Sequence, residues 1–226
     1  MLKLQALLSA CGVDFSYSFL FNEALIQRGR NALVASFLKT PATILMFIDA
    51  DIQFEAADLL RMIQADRDVL CGVYPKKEIN WASVRRAIAA GVPDEELKYH
   101  TGVFVVKLID NAESVMTSLH EPLEIWEGGT GFMMIKRQVF EKLAPLVPWY
   151  INDIKGLGTG AKDERISEFF STSIDETSLT LRSEDYHFCY LARLHGFKIH
   201  AALWAQLSHI GTYLFEGRLL PPGKTV

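Results

Sequence analysis

The sequence predicts an α/β domain built on a mainly parallel central sheet flanked by helices, and three observations carry that expectation. Residues 43–52 read Thr-Ile-Leu-Met-Phe-Ile-Asp-Ala-Asp-Ile, an apolar run of strand length that ends abruptly in two carboxylates one residue apart. Ile44 to Ile48 is too continuous for a half-exposed strand and too short for an independent helix, which is the pattern of a strand covered on both faces. Strand and helix signals then alternate to about residue 90, the order of right-handed βαβ units. At 226 residues, half of them hydrophobic, with a formal net charge of -4, the chain is long enough to bury a full core as one domain spanning 1–226.

The chain begins with two competing signals. Residues 1–11 end in Leu-Ser-Ala-Cys, as a lipoprotein cleavage site would, but the apolar part is interrupted by Gln5 and is shorter than a secretory core. Leu4, Leu7 and Leu8 stand at helical spacing, and Gly12 is placed as the glycine that ends a helix before a strand over 15–21. A helix over 25–38 stops before Pro41, and the Asp-ending strand follows. Next come a helix over 56–64, a strand over 69–73 stopped by Pro75, and a helix over 81–90. The second half is less regular. Residues 103–109, 132–135 and 199–206 read as strands, and 138–143 and 184–195 as helices. The polar stretch 151–181, with Gly156, Gly158 and Gly160, is long for a plain connection and is expected to be functional or mobile.

Composition excludes several classes. Basic residues are scattered rather than striped, which argues against nucleic-acid binding. No apolar run reaches the roughly 18 residues a membrane helix needs. Cys11, Cys71 and Cys189 have no metal-type spacing, so reduced thiols and a cytoplasmic location are expected.

Chemistry is expected at the strand edge carrying Asp49 and Asp51, where open α/β sheets bind ligands. Two carboxylates that repel each other there call for a cation, and hard oxygen ligands suit Mg²⁺ or Mn²⁺; the alternative is that one caps the next helix and the other is solvated. In Gln27-Arg28-Gly29-Arg30-Asn31, a helical projection puts Arg30 on the apolar stripe of Leu33, Val34, Phe37 and Leu38, while Arg28 points away. An arginine on a buried stripe needs an anion, either a phosphate or a carboxylate of the protein. Ser183-Glu184-Asp185-Tyr186 reads as an N-cap followed by first-turn acids. Asp185, however, projects onto the packed face with Phe188, Cys189 and Ala192, as a positioned general base would. Gly128-Gly129-Thr130-Gly131 would let backbone approach a ligand, or simply turn. His209, after the last strand, is a candidate third metal ligand or a structural histidine.

Taken in order, Phe47-Ile48-Asp49-Ala50-Asp51-Ile52, Gly72 to Lys77, Gly129-Thr130-Gly131-Phe132, Ser183 to Tyr186 and His209 make the chain resemble the nucleotide-sugar-dependent glycosyltransferases of the GT-A fold. The likeness is to small bacterial and large-DNA-virus proteins of the family 2 type, and runs from about residue 15 to 217. It implies a Rossmann-like sheet and a DxD motif in which Asp51, assisted by Asp49 and with His209 as a further ligand, holds Mn²⁺ or Mg²⁺ against the donor diphosphate. It implies that Arg28, Arg30, Asn31, Lys76 and Lys77 face the donor, and that Trp81, Gly129, Thr130 and Gly131 shape the sugar pocket. Asp185, or Glu184, would take the proton from an acceptor hydroxyl in an inverting displacement. The partners implied are a nucleoside-diphosphate sugar, with UDP assumed, and a glycan or other hydroxyl acceptor contacted by 151–181.

The resemblance also implies a first strand inside the sheet, which this chain lacks because it starts in what reads as the first helix. The gap would leave unpaired backbone groups on two neighbours unless another strand fills it. Two other classes fit less well. A haloacid-dehalogenase-like phosphatase also carries Asp-x-Asp after a buried strand, but Gln53 stands where it expects Thr or Val, and no paired-Asp loop follows. A non-catalytic sugar-nucleotide-binding or scaffolding protein of the same fold is the alternative to the enzyme.

Overall fold

The computed structural model describes residues 1–109, 120–152 and 164–216. Its centre is a six-stranded sheet of β1 (Ile44–Ile48), β3 (Val69–Gly72), β4 (Val106–Leu108), β5 (Leu123–Gly128), β6 (Phe132–Lys136) and β11 (Ile199–Ala202), in the order β1-β6-β3-β11-β5-β4. The remaining strands are short. β2 (Ile52–Gln53), β12 (Ser208–Ile210) and β13 (Leu214–Phe215) form one small sheet. β7 (Trp149–Ile151) pairs with β8 (Arg165–Ser167), and β9 (Ser173–Ile174) with β10 (Leu181–Arg182).

Alternation along the central strands divides the apolar side chains between two cores. Leu45 and Phe47, Val69 and Cys71, Met133 and Ile135, and Ile199 and Ala201 point to one face. There they meet α2 (Ile26–Leu38), α5 (Arg137–Leu143) and α6 (Glu184–Leu194). Met46, Leu70, Phe132, Met134 and Ala202 point to the other, against α1 (Leu2–Ala10) and α3 (Ala56–Gln64). Burial on both faces is why β3 and β6 read as nearly unbroken apolar runs. α4 (Trp81–Ala89) is capped by Asn80, whose side chain accepts from the Ser83 N–H at 3.0 Å. α1 ends as its sequence suggests, with Gly12 at φ +67°.

Two expectations are corrected. The sheet is mixed rather than mainly parallel: among its neighbouring pairs only β3 and β11 are parallel, and β6 lies antiparallel between β1 and β3. A strand covered on both faces carries the same continuous apolar pattern whichever way it runs, so the pattern reports burial and not direction. Residues 15–21 form no strand. They run extended, with Phe15, Tyr17, Phe19 and Phe21 in successive ring contact, and no described residue gives them a backbone hydrogen bond. No described strand pairs with them. β1 in turn is a sheet edge with β6 as its one neighbour among the described strands. Within the stretch 151–181 the described residues include β8 and β9 with their pairings, while Gly156, Gly158 and Gly160 lie outside the described residues.

No helix among the described residues is long and apolar enough to cross a membrane. The three cysteines are free, Cys71 and Cys189 buried and Cys11 exposed.

Asn31 ties the helix to the second half of the chain. Its amide donates to the Phe170 carbonyl and accepts from the Phe170 N–H, both at 2.9 Å and both buried. Truncation strands two buried backbone groups, each costing about 1 to 3 kcal/mol. Asn31→Ala is therefore expected to lower unfolding free energy by about 2 to 6 kcal/mol in urea denaturation. A loss below about 0.5 kcal/mol, the level of an ordinary surface change, would contradict this role.

Candidate functional site

The site is organised by Arg30. Its side chain is 7% exposed and lies over the Phe47 ring, with Cζ 5.5 Å from the centroid. Nη2 donates to Asp49 Oδ2 at 3.3 Å, and Nε lies 3.6 Å from Glu184 Oε1, where it completes no hydrogen bond. The guanidinium thus joins the end of β1 to the start of α6 across most of the chain. The anion that its buried position demands is supplied by two protein carboxylates. Beneath it Phe47 meets Phe170 edge-on at 5.5 Å, and Phe170 stacks on Phe188 at 4.7 Å, giving the charge cluster a rigid aromatic floor.

Asp51 faces the other way. Lys77 Nζ stands 2.6 Å from its Oδ2, and His209 Nε2 is 3.4 Å from the same oxygen. His209 is brought there by β12 pairing with β2, which sets it opposite Ile52, and the Ile210 N–H donates to the Asp51 carbonyl at 2.7 Å. Its Nδ1 is 3.0 Å from the Pro75 carbonyl. A carbonyl only accepts, so Nδ1 carries the hydrogen, and Nε2 is turned on Asp51. Burial pushes the Asp51 carboxyl up, but the Lys77 hydrogen bond and the charges of His209 and Lys77 outweigh it and hold the group below its usual range.

Among the described residues no group of three or more His, Cys, Asp or Glu side chains gathers as a ready-made metal site. Asp49 is engaged with Arg30, leaving Asp51 and His209 as a pair. Neighbouring ligands on an ion bound at about 2.1 Å lie about 3 Å apart, and an imidazole whose Nδ1–H is fixed by a carbonyl is the usual form of a metal-binding histidine. The pair therefore fits a divalent ion that takes its remaining ligands from outside the protein, with Lys77 moving off the shared oxygen.

Backbone approach accounts for the glycines. The Asp49 N–H donates to the Gly131 carbonyl at 2.8 Å, and the Gly131 N–H to the Tyr74 hydroxyl at 3.1 Å. A Cβ on Gly129 would come within 2.2 Å of that hydroxyl, and one on Gly131 within 2.7 Å of it and 3.0 Å of Asp49 Oδ2. Tyr74 also packs edge-on against His209, with centroids 5.6 Å apart, so one buried phenol braces both the glycine segment and the histidine. Burial, then the charges of Asp185 and Asp49, push this phenol far up. Tyr74 was given no role of its own from sequence, although it stands within the Gly72 to Lys77 segment that carries the resemblance. Thr130 is fully buried and its hydroxyl has no partner among the described residues.

Ser183 is the N-cap of α6, but its hydroxyl bonds Asp185 Oδ1 rather than a helix N–H. The Tyr186 N–H donates to the same oxygen at 2.8 Å, and no described residue bonds Oδ2. Glu184 is 14% exposed; burial first, then Asp185, raise its carboxyl above the usual range, against the pull of Arg30.

Other candidates lie further out. Arg28 pairs with Glu23 at 2.7 Å, Asn31 is committed to Phe170, Trp81 is exposed, and Lys76 holds the Val103 carbonyl through its backbone N–H at 2.7 Å with its side chain exposed. The arrangement brings Arg30, Asp49, Asp51, Lys77, Gly129, Gly131, Glu184, Asp185 and His209 to one region.

No family model and no curated protein matches this chain. Among solved structures it is similar to A197 from STIV, over 100% of this chain and 92% of that one, with 15% identical residues and a TM-score of 0.46.

The raised Glu184 carboxyl fixes a pH dependence. A group whose folded pKa lies above its unfolded value, here 4.5, contributes fully below that value and loses the contribution as pH rises through the folded one. Glu184→Gln removes this titration. The melting temperature of the variant should gain on the wild type between pH 4.5 and neutrality, and parallel curves would show that Glu184 is not strained by its surroundings.

Proposed function

We propose that this protein is a metal-dependent glycosyltransferase of GT-A type that moves a sugar from a nucleoside-diphosphate sugar to an acceptor hydroxyl with inversion. The observation that carries this reading is the Arg30 bridge, which sets the Asp-Ala-Asp strand end and the Glu-Asp helix start on one site. Asp51 and His209 Nε2 would hold Mn²⁺ or Mg²⁺. When bound, that ion supplies positive charge for the diphosphate leaving group.

Asp49 acts through Arg30, holding the guanidinium in place between strand and helix. Lys77, exposed and flexible, pairs with Asp51 in the free protein and turns to phosphate oxygens when donor is present. Gly129 and Gly131 would border the sugar through their backbone, the space on their Cβ side being taken by Tyr74. Asp185 has its Oδ1 fixed by Ser183 and the Tyr186 N–H, which leaves Oδ2 to accept the proton of the acceptor hydroxyl as its oxygen attacks the anomeric carbon. Glu184 anchors the helix start to Arg30. UDP is the donor nucleotide this reading assumes, and a glycan or another hydroxyl compound is the acceptor.

Lys77 and Arg30 already compensate both strand-end carboxylates, which favours as a second reading a non-catalytic sugar-nucleotide-binding protein of the same architecture. Turnover separates the two.

Calorimetry of UDP with Mn²⁺ is expected to show binding that Asp51→Ala and His209→Ala each weaken by about tenfold or more. Unchanged affinity in Asp51→Ala removes the metal site. Asp185→Asn should keep donor affinity and lower transfer by about 10² to 10⁴-fold. Near wild-type transfer, or a product that retains the donor's anomeric configuration, overturns the assigned base.

A further inference from the structure

A cleft of about 320 Å³ opens between β5 and α6, lined by Trp126, Glu127, Tyr190, Arg193 and Leu194. Such a volume suits a small ligand. Its walls are built rather than incidental. Arg193 donates to the Ile125 carbonyl at 2.9 Å and to Glu124 Oε1 at 3.3 Å, which fixes its guanidinium over Trp126 with Cζ 4.2 Å from the ring centroid. Arg182 stands over Tyr190 in the same way, at 4.1 Å, and is itself held by Asp175. Each aromatic ring is thus clamped from one side, yet Trp126 and Tyr190 remain 41% and 42% exposed.

The cleft reaches towards the start of α6 through Glu127. Tyr190 follows Asp185 by five residues, about 7.5 Å along the helix axis but about 140° around it, so the two side chains leave different faces of α6. Glu127 lies close enough to Tyr186 that, after burial and Asp185, its charge helps push that phenol up to about 12. Glu127 is followed directly by the glycine segment, and its own side chain is 12% exposed, beside Lys107 at 3.5 Å.

We infer that this cleft is a saccharide-binding subsite that receives the acceptor, so that the acceptor class is a glycan. The inference rests on the glycosyltransferase reading for the word acceptor, and on the cleft alone for the word saccharide. A pyranose presents an apolar face of C–H groups and a rim of hydroxyls. The open sides of Trp126 and Tyr190 match the first, and the Glu127 carboxylate with the Arg193 edge matches the second.

Titration of tryptophan emission with lactose, cellobiose and maltose tests this directly in the whole chain. At least one sugar is expected to bind the wild type, and Trp126→Ala and Tyr190→Ala are each expected to weaken it by about tenfold, with Mn²⁺-dependent UDP affinity unchanged. For Trp126→Ala, whose own signal is lost, saccharide-observed NMR replaces emission. Absence of binding to the wild type, or variants that bind as it does, overturns the subsite. Saccharide binding that depends on these rings in a protein without transfer activity upholds the subsite and overturns the catalytic reading, so the two failures are distinguishable.

Discussion

A guanidinium cannot be buried alone. Arg30 sits on the apolar stripe of α2, over Phe47, and its charge is tolerable there only because Asp49 and Glu184 reach it from two other elements. That requirement locks three parts of the chain to one another: the helix that carries the arginine, the edge strand that ends in Asp49, and the helix that begins with Glu184. Removing either carboxylate would leave the guanidinium undercompensated in a site floored by Phe47, Phe170 and Phe188. The same lock sets the spacing between strand end and helix start, on which any chemistry between them depends.

Charge is sorted around this lock. Lys77 and His209 lie on the Asp51 side, and Glu184, Asp185 and Glu127 on the α6 side, with Arg30 between them. Tyr74 reinforces the division from below, since its hydroxyl holds Gly131 while its ring braces His209. In the proposed reaction the donor diphosphate would lie on the Asp51 side and the acceptor on the α6 side of one crevice. The clamped rings of Trp126 and Tyr190 extend the second side outwards.

The sheet carries an open feature at its other end. β1 is as apolar as an interior strand, but only Phe47 of its five residues is fully buried, and β6 is its single described neighbour. Residues 15–21, with their ladder of aromatic rings, likewise lack backbone partners among the described residues, although Val13 and Phe15 pack on the same core as Ile44, Met46 and Ile48.

Much of this was legible in the residues themselves. Apolar runs of strand length located β1, β3, β6 and β11, helical spacing located α2, α3 and α6, and Gly12 marked the end of α1, because these features depend on local periodicity and backbone sterics. The sequence also determined that Arg30 needs an anion and that Asp49 and Asp51 need compensation, since burial and repulsion follow from position on a stripe or strand end. Only the tertiary structure decided who meets whom. Strand direction came from pairing, so β6 entered antiparallel between β1 and β3, and β5 escaped notice because Leu123–Gly128 mixes charged and apolar residues. Asn31 faces the Phe170 backbone, Arg28 faces Glu23, and Arg30 takes carboxylates of the chain, because contacts between residues far apart in sequence leave no periodic trace in either partner.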